Sequence, residues 1–74
     1  MKCTIKAKCN KETFLKYTSY SNECKYKNGY TYGFYDYKSN AEMDSYKLRS
    51  IRPKAVHTEI LRGWDVDGFK TFRK

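Results

Sequence analysis

The chain has 74 residues, 18% of them aromatic, and a formal net charge of +8 at pH 7. A chain of this length forms one domain and buries only about 60–65% of the surface that its unfolded form exposes, so a wide, deep active-site cleft is not expected. The positive charge is divided equally between residues 1–37 and 38–74. It favours phosphate backbones, anionic membrane surfaces or acidic proteins as partners.

The cysteines indicate a reducing compartment. Cys3, Cys9 and Cys24 are odd in number and form no Cys-x-x-Cys pair, so we expect small buried thiols. The sequence shows no secretory leader and no run near the roughly 20 apolar residues that span a bilayer. The abundant Lys and the eight Tyr are typical of AT-rich genes of low-GC bacteria and their viruses. We therefore expect the protein to lie in the cytoplasm of a bacterial cell, either uninfected or infected by a phage. We expect no cofactor and no membrane partner.

Residues 3–9 are predicted as a strand with a basic outer face, because apolar and polar residues alternate strictly along them. The next segment, residues 10–21, has two interpretations. In the first, which we favour, Asn10 caps one or two helical turns on which Phe14 and Tyr17 share a face. In the second, the tyrosine-rich end of the segment forms a strand.

The clearest predicted hairpin turns at Asn28-Gly29. A two-residue turn would pair Lys27 with Tyr30, whereas a three-residue loop ending in a glycine bulge would pair Tyr26 with Tyr30. We favour the second register because it separates apolar from polar side chains better. Under this register the surface aromatics are Tyr35 and Tyr37.

The C-terminal third contains further short runs of β-prone residues. Residues 46–52 are predicted as a strand that Pro53 ends, because proline has no N–H to donate to a ladder. Residues 56–62 are predicted as another strand. Residues 64–66 are predicted to pair with residues 69–73 across an Asp-Gly turn.

These elements predict a mostly β fold in a single domain spanning residues 1–74. We expect a small antiparallel, strongly bent sheet or an Sm-like barrel of five or six strands, which is the natural way to bury so many short strands in a small chain. The one helix that this fold includes is short and lies near residues 10–18.

Four motifs follow one another in the C-terminal half: an aromatic strand at 34–37, a basic strand ending in Ile-x-Pro at 49–53, Gly-Trp-Asp at 63–65 and Lys-Thr-Phe-Arg at 70–73. In this order they resemble the Sm-like barrel of WYL domains, which are ligand-sensing modules of bacterial regulators and defence proteins. The Trp-Tyr-Leu tripeptide of that family is absent, with Glu-Ile-Leu at 59–61 near its place. The resemblance implies a basic groove suited to nucleotides or single-stranded nucleic acid.

No pattern in the sequence indicates catalysis. The single histidine, His57, has no Ser, Cys or acid at an interpretable spacing, and acid–base chemistry needs a positioned partner. The acids of Asp65-x-Asp67 are explained by the following turn better than by a cation site. We therefore expect no catalytic residues, no metal ligands and no enzymatic activity.

Basic and aromatic side chains, most of them in the C-terminal half, predict a nucleic-acid-binding surface. The cations would neutralise phosphates, and exposed rings would stack on bases. The alternative is that the rings belong to the core, which we favour for Trp64, and that the cations only solvate the surface. The predicted site residues are Lys25, Tyr35, Tyr37, Lys47, Arg49, Arg52, Arg62, Trp64, Lys70 and Arg73.

A second hypothesis is a protein-interaction module, such as a small phage-type protein that binds and inhibits a host protein. The small size fits it, and Tyr and Arg are enriched at the hot spots of protein interfaces. The two hypotheses differ in the partner: single-stranded nucleic acid or a nucleotide in the first, and a host protein in the second. The sequence does not determine the oligomeric state.

Overall fold

The computed structural model describes residues 2–69. Its elements are β1 (Cys3–Ala7), α1 (Lys11–Tyr17), β2 (Glu23–Lys27), β3 (Tyr30–Tyr35), α2 (Lys38–Arg49) and β4 (Thr58–Arg62). The strands form one sheet in the order β2-β3-β1-β4, and all neighbours are antiparallel. Each helix therefore connects two strands that have a third strand between them, which is the split βαβ arrangement.

The predicted barrel of five or six strands is wrong. The sheet within residues 2–69 has four strands and is not closed, and with its two helices the fold is α+β. The main error falls on residues 38–49, which form α2, whereas residues 46–52 were predicted as a strand. The buried residues of α2 have helical spacing, yet Asp44 and Ser45 among them are polar, so the sequence shows no apolar stripe.

The predictions for the N-terminus agree with the structure over most of their length. Strand β1 ends at Ala7 rather than at Cys9, because the Cys9 N–H turns back to the Ala7 carbonyl (2.9 Å). Helix α1 follows Asn10, whose side-chain oxygen accepts a hydrogen bond from the Thr13 N–H (2.7 Å). This cap satisfies one of the free N–H groups of the first turn and starts α1 at the predicted place.

The β2–β3 hairpin has the two-residue turn, so the register that the sequence favoured is wrong. Lys27 pairs with Tyr30, and Asn28 and Gly29 have φ angles of 53° and 85°, as a type I′ turn requires. The favoured register assumed one apolar and one polar face. Strand β3 is instead buried on both faces, because the helices cover one face and residues 63–69 cover the other.

The main core lies between the sheet and the two helices, where Ile5, Phe14, Tyr35 and Leu48 are fully buried. The Phe14 ring packs directly on the β3 backbone at Gly33, where a Cβ atom would overlap the ring. Glycine inside a strand is typical of such a close approach. This contact fixes the position of α1 on the sheet.

Residues 63–69, termed the C-terminal segment, follow β4 and cross the face of the sheet opposite the helices. The predicted turn at Asp67-Gly68 is present, since the Phe69 N–H donates to the Val66 carbonyl (2.8 Å). Residues 64–66 form no strand, so the predicted hairpin is wrong for them, and residues 70–73 lie outside the described residues. The strand predicted at 56–62 is β4, shorter by two residues.

Candidate nucleic-acid interface

The predicted site residues do not share one surface. Lys25 and Trp64 lie on the side of the sheet opposite the helices. Lys47 and Arg49 lie on the exposed side of α2, and Arg52 lies in the loop after it. The predicted cations that the structure describes are therefore spread over several surfaces.

The other predicted residues are spread more widely still. Tyr37 is exposed at the N-terminus of α2, and Arg62 is exposed at the end of β4. Trp64 is partly buried, and its indole N–H donates to the Tyr35 carbonyl (2.9 Å). Lys70 and Arg73 lie outside the described residues.

Tyr35 is a core residue, so its predicted role as a surface aromatic is wrong. Its side chain is fully buried, and its hydroxyl donates to the Asp44 carboxylate (2.7 Å). The same carboxylate accepts hydrogen bonds from the backbone N–H groups of Ser19 (3.2 Å) and Tyr20 (3.0 Å). Burial, followed by the hydrogen bond to Asp44, raises the pKa of the Tyr35 hydroxyl. The pair joins β3, α2 and the loop after α1.

The sheet register brings several chain segments to one end of the molecule. Ala7, at the end of β1, pairs with Thr31 near the start of β3 and with Thr58 at the start of β4. Helix α1 begins at this end, directly after β1. Helix α2 finishes there, because the chain leaves it through a loop whose His57 carbonyl accepts the Lys8 N–H (2.9 Å).

Exposed cations are concentrated at this end. We term it the basic end, and its five cations are Lys8, Lys11, Arg49, Arg52 and Lys54. None of them forms an ion pair with another residue of the range 2–69. Among the acids near this end, Glu59 lies 3.5 Å from the His57 ring. Grouped like charges of this kind attract anions.

The opposite end of the sheet has a different charge pattern. There the cations Lys2, Lys16, Lys38 and Arg62 are mixed with the acids Glu23, Asp36, Glu42 and Asp65. The positive charge of the described residues is therefore polarised towards the basic end.

Basic and aromatic side chains also alternate across the face of the sheet opposite the helices. On this face, termed the aromatic face, the register places Tyr32 between Lys6 on β1 and Lys25 on β2. Tyr30 and Phe34 project on the same side of β3, because side chains two residues apart share a face. Lys6 also lies over the Tyr30 ring, 4.6 Å from its centroid.

The C-terminal segment covers much of the aromatic face with its own rings. The Phe69 ring lies edge-on to Tyr32 and Phe34, with centroid distances of 4.8 and 5.7 Å. The Trp64 ring lies 6.4 Å from Phe34. Tyr32 is consequently only 3% exposed and Phe34 fully buried.

Asp67 anchors the segment electrostatically. Its carboxylate accepts a hydrogen bond from the Tyr32 hydroxyl (2.6 Å) and lies 3.3 Å from the Lys6 ammonium. The Lys27 ammonium donates to the Asp67 carbonyl (2.6 Å). The hydrogen bonds from Tyr32 and Lys6 lower the pKa of Asp67, and the bond to Asp67 raises the pKa of Lys6.

The thiols and acids form no metal centre in the part of the chain that the structure describes, where no three His, Cys, Asp or Glu residues are grouped. Cys3, Cys9 and Cys24 are free thiols, and burial raises the pKa of each. Raised values keep the thiols protonated and weakly nucleophilic. No helix within residues 2–69 has the length and apolar character that crossing a membrane requires.

Two hollows lie away from the basic end. The first, of about 250 Å³, is beside Cys3 and is lined by Lys38 and Arg62. The second, of about 550 Å³, lies on α2 beside Met43 and Tyr46, which are 49% and 67% exposed. Partly exposed apolar side chains on one helix are a surface that can pack against another protein.

Sequence reasoning missed three cations of the basic end, one exposed ring and one partly buried ring. Lys8 and Lys11 are far from Lys54 in the sequence, and only the pairing of β1 with β4 brings them to one end. Tyr26, which is 54% exposed, and Tyr30 lie on the two arms of the hairpin. The alternation of basic and aromatic residues at 25–27 is a sequence signal that could have identified them.

The chain matches no protein-family model, no curated protein and no solved structure. The resemblance to WYL domains therefore stays a prediction. The Sm-like barrel that it implies differs from the open sheet of this protein.

Proposed function

We propose that this protein is a small non-catalytic module that binds single-stranded nucleic acid, or a nucleotide, through its basic end. The observation that carries the proposal is the grouping of five exposed cations, none of which is neutralised by an acid of the described residues. Phosphates that bind such a group release condensed counterions, which supplies most of the affinity at low salt.

One exposed ring and one partly buried ring next to these cations support a single strand as the ligand. Tyr26 and Tyr30 lie close to the β2–β3 turn, at the same end of the sheet as the basic end. Tyrosine rings offer stacking platforms to unpaired bases, whereas a duplex keeps its bases stacked on one another. We place the protein in the cytoplasm of a bacterial cell, either uninfected or infected by a phage, because free thiols are stable there.

The proposal is tested with two charge-matched double variants. Arg49→Gln/Arg52→Gln removes two cations of the basic end, and Lys16→Gln/Lys38→Gln removes two exposed cations of the opposite end. Affinity for a labelled oligonucleotide of about 12 nucleotides, a length suited to one small domain, is measured by fluorescence anisotropy at several salt concentrations.

We expect the basic-end variant to flatten the slope of log affinity against log salt by about 1.4, or about 0.7 for each lost phosphate contact. The control variant should change the slope by much less. Equal effects of the two variants would contradict a localised site. Failure of the wild type to bind RNA, single-stranded DNA and duplex at low salt would remove the proposal altogether.

A second candidate function is the binding of a host protein, and the exposed side chains of α2 favour it. Met43 and Tyr46 flank a hollow on the helix face away from the sheet. A pull-down with and without nuclease separates the two candidates, because a protein partner survives the nuclease. Tyr46→Ser should weaken capture of such a partner without changing oligonucleotide affinity.

A further inference from the structure

We propose that the aromatic face is itself a binding site for single-stranded nucleic acid and that the C-terminal segment occupies it as an internal ligand. This inference rests on the proposed function, since it assigns a second surface to the same class of ligand. The segment carries the two kinds of group that a nucleotide carries, aromatic rings and an anion, and both contact the aromatic face.

The rings of the segment occupy the place of bases. Phe69 contacts Tyr32 and Phe34, and Trp64 contacts Phe34, at centroid distances between 4.8 and 6.4 Å. All three contacts are edge-on, with interplanar angles from 63° to 81°. Once the segment is removed, Tyr32 and Phe34 present neighbouring rings on a central strand, which is how four-stranded sheets stack unpaired bases.

The carboxylate of the segment occupies the place of a phosphate. Asp67 accepts from the Tyr32 hydroxyl and lies 3.3 Å from the Lys6 ammonium. A phosphate oxygen is an acceptor of the same charge sign, and it would satisfy the same two donors. Lys27, which donates to the Asp67 carbonyl, would become available to a second phosphate.

The segment is attached mainly by side chains, so it can detach without unfolding the sheet. Its Gly63 N–H donates to the Lys2 carbonyl (3.0 Å), and the strand pairing itself ends at Arg62. Asp65, Asp67 and Gly68 are exposed. The Lys6–Asp67 ion pair is also partly exposed, so water can solvate both charges when the segment detaches.

Competition by the segment would weaken binding at the aromatic face. A site that is open for only a fraction of the time binds its ligand with an affinity reduced by that fraction. Removing the Asp67 anchor should therefore increase affinity for a single strand. An increase of net charge alone would act in the same direction, so the control must carry the same charge change.

Asp67→Ala and Asp65→Ala form the matched pair, because both remove one exposed acid of the same segment and Asp65 has no hydrogen bond or ion pair within residues 2–69. Affinity for a labelled oligo-dT of about 12 nucleotides is measured for both at one salt concentration. We expect Asp67→Ala to bind about tenfold more tightly than Asp65→Ala, in the range that one additional stacked base supplies. Equal affinities would overturn the inference.

The single tryptophan of the chain, Trp64, gives a second readout on the wild type. Saturation with the same oligonucleotide should shift Trp64 emission to longer wavelength as the ring leaves Phe34. Unchanged Trp64 emission at saturation would overturn the inference. Because this measurement uses the wild type, it tests the inference even if Asp67→Ala does not fold.

The charge variants distinguish the two proposals. If Arg49→Gln/Arg52→Gln weakens binding while Asp67→Ala and Asp65→Ala bind equally, the site at the basic end is supported. The proposal that the C-terminal segment is an internal ligand is then contradicted. If Asp67→Ala binds the oligonucleotide more tightly than Asp65→Ala while Arg49→Gln/Arg52→Gln binds it like the wild type, the site on the aromatic face is supported. The site at the basic end is then contradicted. If no variant binds the oligonucleotide, both proposals fall.

Discussion

Asp44 lies on α2 with its side chain fully buried, and its carboxylate accepts hydrogen bonds from the Tyr35 hydroxyl and from the backbone of Ser19 and Tyr20. A buried carboxylate is tolerated only when donors replace the water that it has lost. These three donors also come from two other parts of the chain. Asp44 therefore holds the loop after α1 against β3.

Removing Asp44 should destabilise the protein strongly. Asp44→Ala leaves a buried hydroxyl and two N–H groups without an acceptor, and we expect a loss of about 3 kcal/mol in the free energy of unfolding. Tyr35→Phe, which removes only one donor, should cost about 1 kcal/mol. Urea denaturation measures both. A loss below about 0.5 kcal/mol for Asp44→Ala, the range of ordinary surface changes, would show that the network does not hold the loop.

At the scale of the elements, the contact of α1 with β3 depends on a missing side chain. A Cβ at Gly33 would overlap the ring of Phe14, which is fully buried. The helix can lie this close to the sheet only because the strand presents bare backbone at that position.

Gly33→Ala should therefore destabilise the protein by about 2 kcal/mol, the usual cost of overpacking. A compensating second change provides the control. Phe14→Leu shortens the side chain, so the double variant should lose less stability than the sum of the two single losses, because neighbouring sites that share a steric conflict are not additive. Thermal or urea unfolding measures the coupling. If the stability losses of the two single variants add up to that of the double variant, the Phe14 ring does not pack against the strand backbone at Gly33.

The attachment of the C-terminal segment should depend on pH through Asp67. The Tyr32 hydroxyl and the Lys6 ammonium bind the ionised carboxylate and hold its pKa below the ordinary value. A lowered pKa in the attached state means that the stabilisation is complete above the ordinary Asp pKa of about 3.9. It is lost as the pH falls through the lowered value.

We therefore expect acidification from neutral pH to well below the ordinary Asp pKa of about 3.9 to shift Trp64 emission as the segment detaches. Asp67→Asn should already show the shifted emission at neutral pH, because the amide cannot form the ion pair. Asp65→Asn is the control and should titrate like the wild type. If Asp67→Asn shows the same acid transition as the wild type, the transition belongs to another carboxyl group.

The whole molecule is an open α+β sandwich in which charge is polarised along the strands. The five cations of the basic end come from the loop after β1, from α1, from α2 and from the loop before β4. Their mutual repulsion opposes folding, and a bound polyanion relieves it. On the proposed function, ligand binding should therefore stabilise the folded protein.

A single-stranded oligonucleotide should raise the melting temperature of the wild type. A ligand present at about 100 times its Kd stabilises the folded state by about 2.7 kcal/mol, which corresponds to several degrees in a domain of this size. Differential scanning fluorimetry measures the shift. Sodium chloride of equal ionic strength is the control for screening, and Arg49→Gln/Arg52→Gln should reduce the shift. An equal shift with salt alone would mean that repulsion is only screened and no site is filled.

Local chemistry explains which elements the sequence predicted. The Asn10 cap, the Asn28-Gly29 and Asp67-Gly68 turns and the alternation of β1 each involve neighbours within a few residues, so they can be read directly from the chain. Arg49 and Arg52 were predicted as site residues from the sequence, and both lie at the basic end. Their partners Lys8 and Lys11 were not, because strand pairing brings them to the same end.

Tertiary packing decided the rest. Helix α2 has no apolar stripe, since the buried Asp44 and Ser45 are polar and are satisfied by partners from distant segments. The preference for a barrel assumed that strands must close to bury their faces. This chain instead covers one face with two helices and the other with its C-terminal segment. Composition and local pattern determined a small, basic, strand-containing domain, and only long-range contacts decided which face each ring and cation occupies, because burial depends on segments that are remote in sequence.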